Sequence, residues 1–323
     1  MKVLVTGAAG FIGSKVAWRL AGRGDEVVGL DNFNDYYDVG LKDARVKQFF
    51  AGPGLSLVRM DITDKAALDA LFEREHFDKM VHLAAQAGVR RSIAEPYAYL
   101  QSNVAGFLNV LESCRNHGIG HLVYASSSSV YGANAKVPFA EDDKTDSPVS
   151  LYAATKKSNE LMAYAYANLY GIATTGLRFF TAYGPWGRPD MAPMLFAKAI
   201  FAGEPIQLFN GGDMVRDFIY IDDLVEATLR CIDREPGPDE NGVRSRVYNI
   251  GCSHPVKLTD FIAELEQAFG REARKEYLPM QPGDVHRTYA DITRLETELG
   301  WKPQVSLHEG VGRFAEWYKD YCL

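Results

Sequence analysis

Tyr152 and Lys156 stand four residues apart in Tyr152-Ala153-Ala154-Thr155-Lys156, a spacing that puts both on one face of a helix. An ammonium beside a phenol favours the phenolate and pulls its pKa from about 10 toward neutrality. Such a tyrosine can take a proton from a hydroxyl and return it near pH 7. Four serines in a row, Ser126 to Ser129, precede Val130-Tyr131-Gly132. In an extended segment Ser127 and Ser129 point the same way, and either can hydrogen-bond a hydroxyl under oxidation. A Tyr-x-x-x-Lys pair alone usually marks no more than an exposed helix face, so its weight depends on what surrounds it.

A glycine turn is part of those surroundings. Thr6-Gly7-Ala8-Ala9-Gly10-Phe11-Ile12-Gly13 follows a short apolar run, Lys2–Thr6, and opens a helix. Gly7 permits a tight turn. Gly10 lets a pyrophosphate approach the backbone at the positive helix N-terminus, beside Phe11 and Ile12. Gly13 allows close helix–sheet packing. The spacing is GxxGxxG, not GxGxxG. Asp31 ends the second strand about 20 residues on, where an acid binds the adenosine ribose hydroxyls and repels a 2′-phosphate. NAD is therefore the expected cofactor rather than NADP. Asp61-Ile62 follows a third strand, Leu55–Met60, and can hold the adenine edge; a lone strand-end acid is otherwise ordinarily solvated.

The elements that must position these residues alternate. Apolar runs at Lys2–Thr6, Glu26–Leu30, Lys79–Ala84, His121–Ala125 and Thr174–Phe180 read as buried strands. Helical stretches lie at Phe11–Leu20, Lys65–Glu75, Tyr97–Asn116 and Leu151–Tyr170. Such alternation predicts an α/β fold, a Rossmann-type doubly wound parallel sheet with helices on both faces. Beyond about residue 181 the texture changes. Ala182–Pro193 is rich in Gly, Pro and aromatics and reads as loop; Phe196–Ala202 and Leu258–Phe269 read as helices. Arg246–Ile250 reads as an isolated strand, and Glu235–Gly242 as an exposed loop. The expected division is a cofactor domain over 1–180 and a smaller C-terminal substrate lobe over 181–323, with a segment near 215–250 returning to the first domain.

Composition narrows the function classes. The 323 residues are 47% hydrophobic and 24% charged, ordinary for a globular chain. Thirty-five Lys and Arg against 42 Asp and Glu give a net charge of −7. An acidic chain without a basic block is a poor partner for nucleic acid or an anionic membrane. No apolar window approaches the roughly 18 residues that span a bilayer, and no charged leader or cleavage site precedes the first strand. Cys114, Cys231, Cys252 and Cys322 show no metal-like spacing. Idle thiols in a reducing cytoplasm, and no metal, are expected.

The chain resembles the extended short-chain dehydrogenase/reductase family through TGAAGFIG, Asp31, HLAAQ (His82–Gln86), SSSSVYG and YAATK. Within it the chain is most similar to the nucleotide-sugar epimerases that act on UDP-glucuronate. DNFNDYYD (Asp31–Asp38), AAQAGVRRSI (Ala84–Ile93), RFFTAYGPWGRPDMA (Arg178–Ala192) and RDFIYIDD (Arg216–Asp223) carry that narrower match. The resemblance runs essentially from end to end. It implies 4-epimerisation of UDP-glucuronate to UDP-galacturonate: Tyr152 takes the O4 proton as the C4 hydride leaves, the 4-keto sugar rotates, and the hydride returns to the other face. NAD stays bound and is regenerated. Tyr152, Lys156, Ser127 and Ser129 are the implied catalytic residues. Asn32, Leu83, Ala84, Ala85, Gln86, Ser102 and Phe179 join the glycine turn, Asp31, Asp61, Ile62, Tyr152 and Lys156 around the cofactor.

Related dehydratases and decarboxylases place a carboxylate just ahead of the VYG; this chain has Ser128-Ser129 there. A 4-keto uronate is a β-keto acid that loses CO₂ when its carboxylate is free to turn perpendicular to the ketone. A clamp with charge-assisted hydrogen bonds opposes that loss. The implied clamp is Arg188, assisted by Thr181 and the hydroxyls of Ser127, Ser128 and Ser129; an arginine on a loop is otherwise a solvated charge. Arg216 and Asp284 are implied in UDP binding, with Gln281 where galactose epimerases carry an arginine. Arg91 replaces an aromatic residue, and a surface role is expected for it. His82 is expected to be structural. Phe179, Phe180 and Tyr183 line the nicotinamide pocket or belong to the core. The resemblance also implies a homodimer through Tyr97–Asn116 and Leu151–Tyr170. Rival readings are a 4-epimerase of a neutral UDP-hexose or UDP-N-acetylhexosamine, a decarboxylase, a dehydrogenase with exchangeable NAD, and an inactive NAD-binding sensor.

Overall fold

The computed structural model describes residues 1–281 and 283–322. Strands β1 (Lys2–Thr6), β2 (Glu26–Asp31), β3 (Leu55–Arg59), β4 (Lys79–His82), β5 (His121–Ser127) and β6 (Ala173–Phe179) follow the apolar runs. Helices α1 (Phe11–Gly22), α2 (Val39–Phe49), α3 (Lys65–Glu75), α4 (Val89–Ala94), α5 (Pro96–Tyr99), α6 (Gly106–Asn116) and α7 (Leu151–Tyr170) lie among them. Then come β7 (Thr181–Tyr183), α8 (Ala192–Ala202), β8 (Pro205–Phe209), β9 (Val215–Tyr220) and α9 (Ile221–Asp233). Last are β10 (Ser245–Ile250), β11 (Pro255–Lys257), α10 (Leu258–Phe269), β12 (Arg274–Leu278), α11 (Thr293–Leu299) and α12 (Leu307–Cys322). The chain divides into two compact units. One holds Met1–Asn134, Lys144–Arg178 and Val225–Tyr248; the other holds Ala135–Asp143, Phe179–Leu224 and Asn249–Leu323.

The first unit is built on a seven-stranded sheet of order β10-β6-β5-β4-β1-β2-β3. The pairings of β1 with β2 and β4, of β2 with β3 and of β4 with β5 are parallel. Val3, Leu4 and Val5 are fully buried, as expected of a strand covered on both faces. The strand order reverses between β1 and β4, which opens a crevice at their carboxyl ends, the usual ligand position in such sheets. Thr6 pairs in register with His82 there. Leu4, Leu30, Leu68, Phe72, Met80 and Phe107 form part of the core packed against the sheet; each such side chain contributes roughly 1.5–3 kcal/mol by leaving water. Asp64 caps α3 and Ser150 caps α7.

Several elements differ from the sequence reading. The stretch Ala182–Pro193, read as loop, holds the end of β7 and the start of α8. Arg246–Ile250 is not isolated: as part of β10 it edges the main sheet beside β6. The predicted helix Tyr97–Asn116 is interrupted by a π-helical stretch, Leu100–Ala105, between α5 and α6. The wider turn carries Asn103, a buried polar residue. The reason for it lies in the site.

The second unit contains a three-stranded sheet, β11-β9-β7, and a two-stranded one, β12-β8. Its core is aromatic. Phe218 stacks on Phe261 at 4.2 Å, and Tyr183 stands edge-on to both. Phe180 and Tyr183 are buried, and Tyr183 belongs to this core. The buried Asp217 carboxylate ties the unit together by accepting bonds from the backbone N–H groups of Cys252 (2.6 Å), Ser253 (3.0 Å) and Ala290 (2.9 Å).

Candidate active site

Tyr152 and Lys156 occupy the first two turns of α7, directly after the Ser150 cap. Lys156 is 2% exposed, and its Nζ donates to Ala125 O at 2.8 Å. Burial pushes the lysine pKa down to about 8, so the side chain is still a cation at neutral pH. The Tyr152 ring stands edge-on to Tyr99, with centroids 6.2 Å apart. Tyr99 is itself held through its hydroxyl, which donates to Ala87 O at 2.7 Å and lies 2.8 Å from Gly88 O.

The serine segment differs from the extended form expected. β5 ends at Ser127, and Ser128–Tyr131 is a 3₁₀ turn. Ser127 caps that turn by accepting from Ser129 N at 3.2 Å, and its Oγ lies 3.2 Å from Ser129 Oγ. The two hydroxyls are neighbours through capping geometry, not through the strand pleat. The turn packs against α7. Gly132 ends it at φ +54°, where a Cβ would sit 2.0 Å from Ser147 O.

Beneath the turn lies a buried ionic network that motif reading missed. Ser126 Oγ donates to Glu160 Oε1 at 2.7 Å. Arg178 forks onto the same carboxylate and donates to the Tyr131 hydroxyl at 3.0 Å. The available signals were an arginine inside the apolar strand TTGLRFF and a glutamate four residues after Lys156, on the face that α7 buries.

The glycine turn fits a dinucleotide. Gly7 has φ +71°, and a Cβ on it would lie 2.8 Å from Ala84 N. A Cβ on Gly10 would be 2.9 Å, and on Gly13 2.1 Å, from Gly7 O. These are all backbone atoms, so the three glycines let the turn pack tightly on itself and on the loop after β4. Phe11 and Ile12 lead α1, which receives no side-chain cap and so offers its amides to an anion. Asn32, Phe33, Asn34, Asp35, Arg59, Met60 and Asp61 line a pocket of about 480 Å³. Asn32 Nδ2 donates to Asp61 Oδ2 at 2.8 Å, and Thr63 N to Asp61 Oδ1 at 2.8 Å. Burial raises the Asp61 pKa, but those bonds outweigh it and leave it below its ordinary value. Asp31 is buried; it accepts from Ala9 N (3.1 Å) and Phe33 N (2.8 Å) and pairs with Lys42 at 3.3 Å.

Leu83 and Ala84 donate their backbone N–H groups to Thr6 Oγ1, both at 3.2 Å. Ala85 and Gln86 continue that half-buried loop, Ser102 is half-buried in the π stretch, and Ile62 is buried against Gly106. Asn103 explains the π stretch. Its side chain accepts from Gln86 N (2.8 Å) and donates to Gln86 O (3.0 Å) and Thr155 Oγ1 (3.1 Å). It thereby joins the loop after β4 to the residue beside Lys156. His82 is structural: its Nδ1 lies 2.8 Å from Thr6 Oγ1, and burial lowers its pKa to about 3. Arg91 does more than decorate the surface. It lies over the Tyr36 ring at 4.5 Å, donates to Tyr36 O at 2.8 Å and pairs with Glu95 at 2.9 Å.

Phe179, Thr181, Arg188, Arg216 and Asp284 belong to the second unit, whereas the serines, Tyr152, Lys156 and the cofactor turn belong to the first. Phe179 and Thr181 are half-buried, and Thr181 pairs with Phe218 in β9. Arg216 donates to Val215 O (3.0 Å) and His286 O (3.1 Å). Asp284 N donates to Gln281 O at 3.3 Å. Arg188 is bidentate on Asp190. Among the described residues there is no cluster able to hold a metal ion and no helix long and apolar enough to cross a membrane. All four cysteines are free thiols.

A doubly wound sheet with a glycine turn after β1, and a tyrosine–lysine helix beside a serine turn, define a dinucleotide-dependent enzyme of the short-chain oxidoreductase type. Residues 3–251 match the NAD dependent epimerase/dehydratase family, and the chain belongs to it. A probable UDP-glucuronate 4-epimerase of Rhizobium meliloti is 49% identical over 98% of this chain and 97% of its own. The crystal structure of a UDP-glucuronic acid 4-epimerase from Bacillus cereus, in complex with UDP-glucuronic acid and NAD, superposes with a TM-score of 0.91. It is 34% identical over 99% of each chain. A UDP-glucose 4-epimerase from Thermotoga maritima, with UDP-glucose, gives a TM-score of 0.88 at 30% identity over 100% of each chain.

Proposed function

We propose that the protein is an NAD-dependent 4-epimerase interconverting UDP-glucuronate and UDP-galacturonate. The observation that carries this is the turn Ser127–Ser129, which offers hydroxyls and no carboxylate beside the helix of Tyr152 and Lys156. C4 can be oxidised there, but no acid waits to drive a dehydration. The first unit holds the cofactor through Gly7, Gly10, Gly13, Asp31 and Asp61. When bound, NAD supplies a reversible hydride acceptor for C4.

The rest of the work falls to side chains. Tyr152, as phenolate, takes the O4 proton and later returns it. The Lys156 ammonium stabilises that phenolate, and its bond to Ala125 O fixes where its charge sits. Ser127 and Ser129 orient the O4 hydroxyl. Arg216 and Asp284 hold the UDP portion, about which the 4-keto sugar turns over. Arg188 and Thr181 fix the C6 carboxylate. A carboxylate kept charged and hydrogen-bonded resists conversion to neutral CO₂.

The assembly is a homodimer in this reading. Tyr97, Leu100, Leu108, Leu161 and Leu169 are exposed on or beside α6 and α7, and apolar residues gathered on a helix pair mark an association surface. Four free thiols fit the cytoplasm. The test is a proton NMR time course of the purified protein with UDP-glucuronate and no added NAD. UDP-galacturonate as the product is expected. A UDP-pentose would make the enzyme a decarboxylase. No change even with NAD added would leave a neutral UDP-sugar as the substrate.

A further inference from the structure

The loop that carries Arg188 is built from two successive turns. Gly187 N donates to Gly184 O, and Met191 N to Arg188 O, both at 3.2 Å. Within the first of them Trp186 adopts φ +69°. Its ring packs against Trp317 and Tyr321 of α12, with centroids 5.4 and 4.6 Å away. On this anchored loop the Arg188 side chain is 21% exposed and forks onto Asp190, Nε to Oδ1 at 3.0 Å and Nη2 to Oδ2 at 2.5 Å. Asp190 stands two residues ahead of α8, whose N-cap, Met191, makes no side-chain cap bond.

Two parallel N–H···O bonds are what a guanidinium offers any carboxylate. A uronate C6 carboxylate presents the same two oxygens to the same fork. Inversion at C4 requires the sugar to turn over about its diphosphate link, and that motion carries the C5 substituent from one side of the ring's axis to the other. The uronate carboxylate must therefore leave its cation in every turnover. A half-buried guanidinium stripped of its anion is costly, so a clamp with no second anion would resist the rotation.

We propose that Asp190 is the exchange partner of Arg188. It is a positioning residue that receives the guanidinium when the substrate carboxylate swings away and gives it back when the carboxylate returns. This rests on Arg188 as the uronate clamp. Asp190 then weakens the grip on a uronate and, by the same amount, eases the ring's release. A neutral C6 hydroxymethyl group competes for no ion pair and is insensitive to the exchange.

Asp190→Asn keeps the shape and removes the charge. For UDP-glucuronate, KM and kcat are expected to fall together, each on the order of fivefold. Calorimetric titration is expected to show the affinity for UDP-glucuronate rising relative to that for UDP-glucose. Asp190→Glu, which keeps the charge, restores part of kcat. A raised KM, or KM and kcat both unchanged, overturns the exchange. Arg188→Ala separates the two ideas. If it leaves uronate turnover intact, the clamp itself fails. If it collapses uronate turnover while Asp190→Asn changes nothing, only the exchange fails.

Discussion

Arg178 and Glu160 meet as a buried fork, Nε to Oε1 at 2.8 Å and Nη2 to Oε2 at 2.9 Å, with 3% and 6% of each residue exposed. Burial raises the Glu160 pKa, and the arginine's bonds and charge more than reverse that, leaving the carboxyl below its ordinary value. Because Ser126 and Tyr131 hang from the same pair, the serine turn is braced from beneath. Arg178→Met takes the fork from a buried carboxylate, leaving it Ser126 and the Lys157 ammonium at 3.5 Å, and should cost about 3 kcal/mol, read as the shift in urea unfolding. Arg178→Met combined with Glu160→Leu should recover most of that stability but not kcat, since the turn has lost its brace. A double variant as unstable as the single one sinks this account.

In the proposed mechanism Lys156 should set an alkaline limit on the reaction. Its pKa near 8 means that the ammonium is lost above that pH, and the Tyr152 phenolate loses its counter-charge with it. A pH profile of kcat at saturating substrate should fall with a midpoint near 8 and a one-proton slope. Stability runs the other way. The lysine's ordinary value is 10.5, so between 8 and 10.5 the unfolded chain binds more protons at this group. Its burial penalty is thus full below pH 8 and relieved as pH rises through that window. A kcat level to pH 10 removes the lysine from the proton-bearing step.

The glycine turn, the tyrosine–lysine helix and the sheet were legible because each rests on local rules: spacing on a helix, apolar runs, and a positive helix end. Four features were not. The serine segment turns after Ser127 because a side chain caps the backbone, an effect that strand periodicity does not carry. The π stretch exists for Asn103, whose partners, Gln86 and Thr155, are 17 and 52 residues away. Arg178 and Glu160 are charges on buried faces, and only the fold reveals that they neutralise each other. Arg91 acquires its role from Tyr36, 55 residues distant.

Acid stability should report two buried histidines. Burial lowers His82 to about 3 and His121 to about 4, from an ordinary 6.5. Between those values and 6.5 the unfolded chain takes up more protons, so their stabilising effect is complete above 6.5 and erodes as pH falls toward 4. Thermal melts should show Tm declining across that window. His82→Gln, which cannot titrate there, should flatten the decline even if it lowers Tm overall. An unchanged slope would show that His82 is not held neutral by the fold.

The cofactor cradle makes its own control available within one helix. Gly13 and Gly22 both belong to α1. A Cβ at Gly13 would stand 2.1 Å from Gly7 O, a backbone atom that cannot yield without opening the turn. A Cβ at Gly22 meets nothing within 4 Å. Gly22→Ala should leave activity unchanged and, at a helix end, stabilise by up to about 1 kcal/mol. Gly13→Ala should retain the far-ultraviolet circular dichroism of the fold yet lose most of its bound dinucleotide, quantified by chromatography of the nucleotide released on denaturation. Activity should then return only with added NAD, at a raised apparent Kd. Full occupancy in Gly13→Ala would mean that the pyrophosphate does not lie over this turn, and the cofactor would have to be placed elsewhere.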